Sequence, residues 1–257
     1  MNFQDEDGVT KYYTLSAESR LQKGQRLVSR MVATLAVATL LCACSGTPLV
    51  ETSASYRSYT LYTDTNPQVC NNPDDIVLRS IVRVATGDGG DASGVVVADG
   101  KVLTAAHVVA GSNLALVRID GAYRHAELLG TDATSDLALL AVDTGSLQPL
   151  PLAQKTLYSF EQVWAIGYPL ALEQVTTHGF FRNNAQGRLF ASAPIQAGAS
   201  GGGLMRCENG KFELAGLIRG YGAYRIGNEL VPLNDLSIHT PAEQIQRFVL
   251  QTDGIAL

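Results

Sequence analysis

The chain has 257 residues, of which 46% are hydrophobic and 25 are glycine. That supports a packed core, at a length β barrels often reach as one unit, with many turns between short strands. A net charge of −5 without any basic stripe speaks against nucleic-acid binding, and four cysteines with no CxxC pair and partner histidines speak against a zinc site.

The first feature in chain order is an address. Residues 31–43 read MVATLAVATLLCA, an apolar run preceded by Lys23, Arg26 and Arg30. It is short for a spanning helix and suits the core of a signal peptide, so residues 1–43 are expected to form a signal region. Leu41-Cys42-Ala43-Cys44 resembles a bacterial lipobox, in which a small residue precedes the cysteine that is cut and lipidated. The resemblance implies lipidation at Cys44, a membrane partner and a lipid-anchored place in the cell envelope on the periplasmic side. Ser45 rather than Asp after that cysteine leans toward the outer membrane. A plain signal peptide with secretion and an uncleaved anchor are the other readings of the run. The acidic DED at 5–7 is atypical of a leader and leaves a start downstream of Met1 open.

Residues 44–75 are dominated by Ser, Thr, Asn, Asp and Pro and read as a lipidated N-terminus with a polar linker. As a flexible coil, ~30 residues reach roughly 30 Å. From Ile76 the texture changes, and residues 76–257 are expected to form one domain. SIVRVAT (80–86), SGVVVA (93–98) and KVLTA (101–105) read as strands, the last two flanking a hairpin signal at Asp99-Gly100. LALVRI (114–119), HAELLG (125–130), LALLAVD (137–143), VWAIG (163–167), RLFAS (188–192), FELAGLI (212–218) and ELVPL (229–233) continue the series. Only PAEQIQRFVLQ (241–251) looks helical, with Thr240 as a cap, Pro241 in the first turn, and Ile245, Phe248 and Val249 on one face. Many short strands and one terminal helix predict an all-β barrel fold.

Three segments carry chemistry. His107, in TAAHVV, follows two predicted strands and opens a turn of small residues, where a general base would sit. Asp136 directly precedes an apolar strand and is either a turn residue or a buried orienter of the histidine, whereas nearby Asp132 reads as a turn residue. Ser200 lies in Gly198-Ala199-Ser200-Gly201-Gly202-Gly203. Acyl transfer needs an exposed nucleophile on a tight turn with converging N–H groups, and glycines permit that backbone. The N–H groups of Gly198 and Ser200 are the expected oxyanion hole. His125, His178 and His239 read as turn or surface residues, and Trp164 and the Phe180-Phe181 pair as packing.

Together these segments resemble the trypsin-like serine proteases, most closely the HtrA/Deg branch. TAAHVV matches its histidine motif, and Asp132-x-x-x-Asp136-Leu-Ala-Leu-Leu its aspartate motif. GASGGGL at 198–204 resembles Gly-Asn-Ser-Gly-Gly-Pro-Leu, and AIGYP at 165–169 resembles Ala-Ile-Gly-Asn-Pro. Ala199 and Gly203 depart from the motif without removing a reacting atom. The resemblance covers about residues 79–250. It implies a chymotrypsin-like double β-barrel with a C-terminal α-helix, a His107–Asp136–Ser200 triad, protein or peptide substrates, and no cofactor or metal. Since the chain stops just after the helix, no PDZ-like domain is expected to follow. Pro194, six before Ser200, is where trypsin-type enzymes keep an Asp, so cleavage after a small or medium apolar residue is expected rather than after Lys or Arg. The rival from another class is a catalytically silent binding lipoprotein on the same fold; such relatives usually lack a triad member, and all three are present. Cys70 and Cys207 either pair in an oxidising compartment or stand free, because sequence does not give their distance.

Overall fold

The structure is a computed structural model that describes residues 70–227 and 229–257. The signal region, Cys44 and nearly all of the polar linker lie outside the described residues. The folded part starts before the change in sequence texture at Ile76. Cys70 is disulfide-bonded to Cys207, 137 residues away. A helix, α1 (Asp75–Ser80), then opens with the Asp74 side chain accepting the Val77 N–H at 2.9 Å. Asp74 therefore caps a helix where a linker was expected, and Ser80 closes that helix, its Oγ donating to Ile76 O and Gln148 O, rather than opening a strand.

Two closed antiparallel barrels follow. The first is built from β1 (Ile81–Thr86), β2 (Asp91–Ala98), β3 (Lys101–Thr104), β4 (Ala115–Ile119), β5 (Ala122–Asp132) and β6 (Leu137–Ala141), ordered β1-β2-β3-β6-β5-β4. A single helical turn, α2 (Ala106–Val109), leaves β3. The second holds β7 (Gln162–Gly167), β8 (Val175–Ala185), β9 (Arg188–Ala191), β10 (Gly203–Glu208), β11 (Lys211–Ile226) and β12 (Glu229–Pro241), ordered β10-β11-β12-β9-β8-β7. Helix α3 (Ala242–Asp253) ends the fold, terminated by Gly254 at φ 70.

Side chains alternate faces along a strand, and this explains the longest apolar runs. In β6, Ala138 and Leu140 fill the first barrel while Leu137 and Leu139 join a separate cluster with Trp164, Ile166, Met205, Leu214, Ile245 and Phe248. In β7, Val163 and Ala165 fill the second barrel, and Trp164 and Ile166 enter that shared cluster. Strands buried on both faces are thus the ones where the barrels meet, with α3 packed on the seam.

Several local expectations change. β8 is a full strand in a stretch to which the sequence assigned no element; only Gly179 and Phe181 along it are buried, so no apolar alternation marks it. Phe180 is exposed rather than packed. Pro241, not Thr240, is the cap position of α3, because Thr240 Oγ1 donates instead to Ser135 O at 2.6 Å. His239 is fully buried in β12 rather than on a turn or the surface.

Candidate active site

The first barrel delivers an imidazole–carboxylate pair. Thr104 at the end of β3 donates its Oγ1 to Ser93 O at 2.7 Å, and the α2 turn then presents His107. Asp136 sits in the turn between β5 and β6 with φ 57, a left-handed conformation that Asp tolerates better than most residues. Asp132 shapes this turn by accepting the Thr134 N–H at 2.9 Å and the Ser135 hydroxyl. The Ser135 hydroxyl holds the Asp132 carboxyl below its ordinary value, in keeping with a turn role. The result aims Asp136 at His107. Its Oδ2 lies 2.9 Å from His107 Nδ1, and its Oδ1 accepts the His107 backbone N–H at 3.0 Å. With Nδ1–H donated to a carboxylate, the lone pair is left on Nε2. The His107 side chain is 34% exposed and Asp136 12%, so the pair opens to solvent only on the imidazole side.

Sequence reasoning missed a third member of this cluster. Arg219 Nε stands 3.5 Å from Asp136 Oδ2, and its Nη1 donates to Thr134 O at 3.4 Å. Burial pushes the guanidinium down from its ordinary value, while Asp136 and Asp132 act the other way. The β11–β12 register slips between Ile218 and Gly220, and this irregularity turns Arg219 toward the other barrel. The only sequence signal was a cation inside the buried run LAGLIRG.

The second barrel delivers the serine loop. Ser200 O accepts the Ser93 N–H at 2.9 Å, Gly201 N–H bonds Ile218 O, and Gly202 N–H bonds Ala199 O. Gly201 has φ 82, and a Cβ there would lie 2.2 Å from Ser93 O; at Gly198, φ 91, it would lie 2.6 Å from Tyr168 O. Only glycine fits either place. The pairing leaves the N–H groups of Gly198 and Ser200 without a backbone partner among the described residues. Ser200 Oγ points to Arg219 O at 3.4 Å, and no hydrogen bond joins it to His107 among the described residues. The structure thus brings His107 and Asp136 into contact and seats Ser200 on the adjoining loop, with its hydroxyl turned toward β11. Ser93 links the two halves: its Oγ donates to Gly198 O at 2.9 Å and accepts the Tyr168 N–H at 2.8 Å. The position before Gly94 in an otherwise apolar strand was its only trace in the sequence.

Residues 92–216 match the trypsin-like peptidase domain. The chain is 36% identical over 138 residues to a Pseudomonas fluorescens protein described as "Probable periplasmic serine endoprotease DegP-like", covering 49% of this chain and 27% of that one. Against the serine protease HTRA1A of Danio rerio it is 29% identical over 186 residues, covering 66% of this chain and 35% of the other. The chain spans about a quarter of the length of the first DegP-like relatives. Among solved structures, a serine endoprotease from Yersinia pestis superposes with a TM-score of 0.60 at 24% identity, covering 72% of this chain and 69% of that chain. An M. tuberculosis protease in its active form gives 0.60 at 20% identity, covering 85% and 96%. Two closed six-stranded barrels and a terminal helix form the chymotrypsin-like double barrel, and the chain is similar, over residues 92–216, to the trypsin-like peptidase domain and to HtrA/DegP serine endoproteases.

Proposed function

We propose that this domain is a serine endopeptidase in which Ser200 attacks the peptide carbonyl, His107 accepts its proton and Asp136 orients the imidazole. The observation that carries the reading is the Nδ1–carboxylate contact of 2.9 Å beside a loop whose Gly198 and Ser200 N–H groups are free to receive an oxyanion. For the reaction Ser200 Oγ turns from Arg219 O to His107 Nε2; such bonds are often long or misaligned without substrate. The proton passes from Ser200 to Nε2 as the C–O bond forms. The carbonyl electrons move onto the oxyanion, and Nε2–H then protonates the leaving amine as the acyl-enzyme forms. Water reverses the sequence and frees the acid. Asp136 stays ionised and stabilises the imidazolium. Pro194 is neutral and exposed, which supports a preference for small or medium apolar residues at the cleaved bond.

A fluorophosphonate probe tests the nucleophile and casein digestion tests the reaction. We expect the wild type to be labelled and to cut casein. Ser200→Ala should escape labelling and lose roughly 10⁶-fold in kcat. Unlabelled wild-type protein that still binds peptides would favour the silent binding lipoprotein, the reading to which the turned-away Ser200 hydroxyl lends its one support.

The same proposal extends to location. The basic residues, apolar run, LCAC and polar tract occur in the order that a lipid anchor at Cys44 requires, and DegP-like relatives carry the word periplasmic in their descriptions. Two or three acyl chains, at ~0.8 kcal/mol per buried CH₂, would anchor the domain firmly. Mass spectrometry of the mature N-terminus is expected to find acylated Cys44; an unmodified terminus elsewhere would leave simple secretion.

A further inference from the structure

The serine loop of the second barrel is held from the first by a chain of short contacts that begins at Arg83 on β1. Arg83 grips Asp91 of β2 with both ends of its fork, Nε to Oδ1 and Nη2 to Oδ2, each at 2.7 Å. The pair is largely shielded, with 14% and 25% of the side chains exposed. Nη2 then reaches across the seam and donates to Ala171 O at 2.6 Å, 88 residues away. Ala171 and its neighbour Leu170 have φ 56 and 55, a left-handed conformation that non-glycine residues keep only where surroundings hold it.

That turn faces the proposed oxyanion hole. Leu170 N–H donates to Ala197 O at 2.7 Å. A trans peptide is planar with its C=O and N–H opposed. Holding Ala197 O on the turn therefore points the Gly198 N–H away from it. On the next peptide, Ser93 Oγ holds Gly198 O at 2.9 Å, and the Tyr168 carbonyl closes off the space beside the Gly198 Cα. The 197–198 peptide has one orientation while the Leu170–Ala171 turn stays in place.

We propose that Arg83, through its ion pair with Asp91 and its bond to Ala171 O, is a positioning residue that sets the Gly198 N–H for the developing oxyanion. It touches neither substrate nor Ser200. This rests on the endopeptidase reading, with Gly198 as an oxyanion donor. The two are separable, because the orientation of the Gly198 amide is measurable without turnover.

The test uses the full chain with Arg83→Gln, Arg83→Lys and Asp91→Asn. Losing one oxyanion donor costs about 10²–10³ in kcat, and a misdirected donor should cost roughly ten- to a hundredfold. We expect Arg83→Gln to lower kcat by that factor with KM within about twofold. Binding of a peptide aldehyde, whose tetrahedral adduct needs the hole, should weaken by the same factor, and binding of a product peptide should not change. Arg83→Lys, which can reach one partner, should fall between. In ¹⁵N-labelled protein the Gly198 amide resonance should move in Arg83→Gln. A lower melting temperature with unchanged kcat, aldehyde affinity and Gly198 resonance would make Arg83 a purely structural residue and overturn the proposal. A wild type that cuts nothing, but whose Gly198 resonance still responds to Arg83→Gln, would keep the positioning role and remove the endopeptidase reading.

Discussion

In the first barrel, the imidazole and carboxylate are already in contact, with Asp136 fixed by its own turn and bonded twice to His107. In the second barrel, the serine loop has its backbone in place while the Ser200 hydroxyl faces Arg219 O. The difference follows from what holds each half. The His107–Asp136 half is held by side chains of its own barrel, Asp132 and Thr104 among them, and braced across the seam by Arg219 and Thr240. The serine half is a run of small residues held within its own barrel by backbone bonds, Gly201 N–H to Ile218 O and Gly202 N–H to Ala199 O, and its side-chain restraints come across the seam from Ser93 and Arg83. The imidazole and the carboxylate thus come from one barrel and meet within it, whereas the orientation of the serine loop depends more on how the two barrels meet.

After the loss of Ser200 itself, the largest expected effect breaks the first half alone. Asp136→Asn keeps the volume but offers His107 Nδ1 an amide donor, so Nδ1 becomes the acceptor and Nε2 carries the proton. Ser200 then has no base. A loss on the order of 10⁴ in kcat is expected, with the fold and the serine loop unchanged. Steady-state kinetics alongside a melting curve check this; a drop below tenfold would show that Asp136 is only the turn residue that the sequence also allowed.

How much of this was legible depends on the range over which a residue acts. The sequence marks elements whose cause is local: the β2–β3 hairpin through Asp99-Gly100, the apolar runs of β6 and β7, and the amphipathic face of α3. His107 and Asp136 were visible as candidates, each beside a strand, though only the fold shows them in contact. The residues that join the halves were invisible because their partners lie far along the chain. Ser93 and Gly198 are 105 residues apart, Arg83 and Ala171 88. No local pattern announces a serine that bonds one carbonyl in another barrel. β8 was missed for the opposite reason, since its mostly exposed residues leave no alternation to read. The long β11 and β12 were shortened because irregularities near Ile218 and Tyr221 break their period.

A smaller effect sharpens the contrast through the second histidine that differs between the barrels. His107 is open to solvent on one side. His239 is fully buried, and its register places it opposite Leu189 and Ile218, both of which line the second barrel's interior. Its Nε2 lies 2.9 Å from Ser237 Oγ, while Nδ1 has no partner among the described residues. Burial pushes its pKa down to about 3. In the unfolded chain a histidine titrates near 6.5. Between those values the unfolded state holds a proton that the folded state refuses. Stability therefore rises with pH through that window and falls as pH drops below about 6.5, by up to about 1.4 kcal/mol per unit until pH 3 is approached. Urea unfolding across pH 4–7 should show this slope, and His239→Gln, though less stable at pH 7, should flatten it. Hydrogen exchange should find the loss of protection at pH 4.5 first in β9, β11 and β12, the strands around His239, ahead of β3 and β6. A mutant slope equal to the wild type's would place the acid sensitivity elsewhere in the molecule.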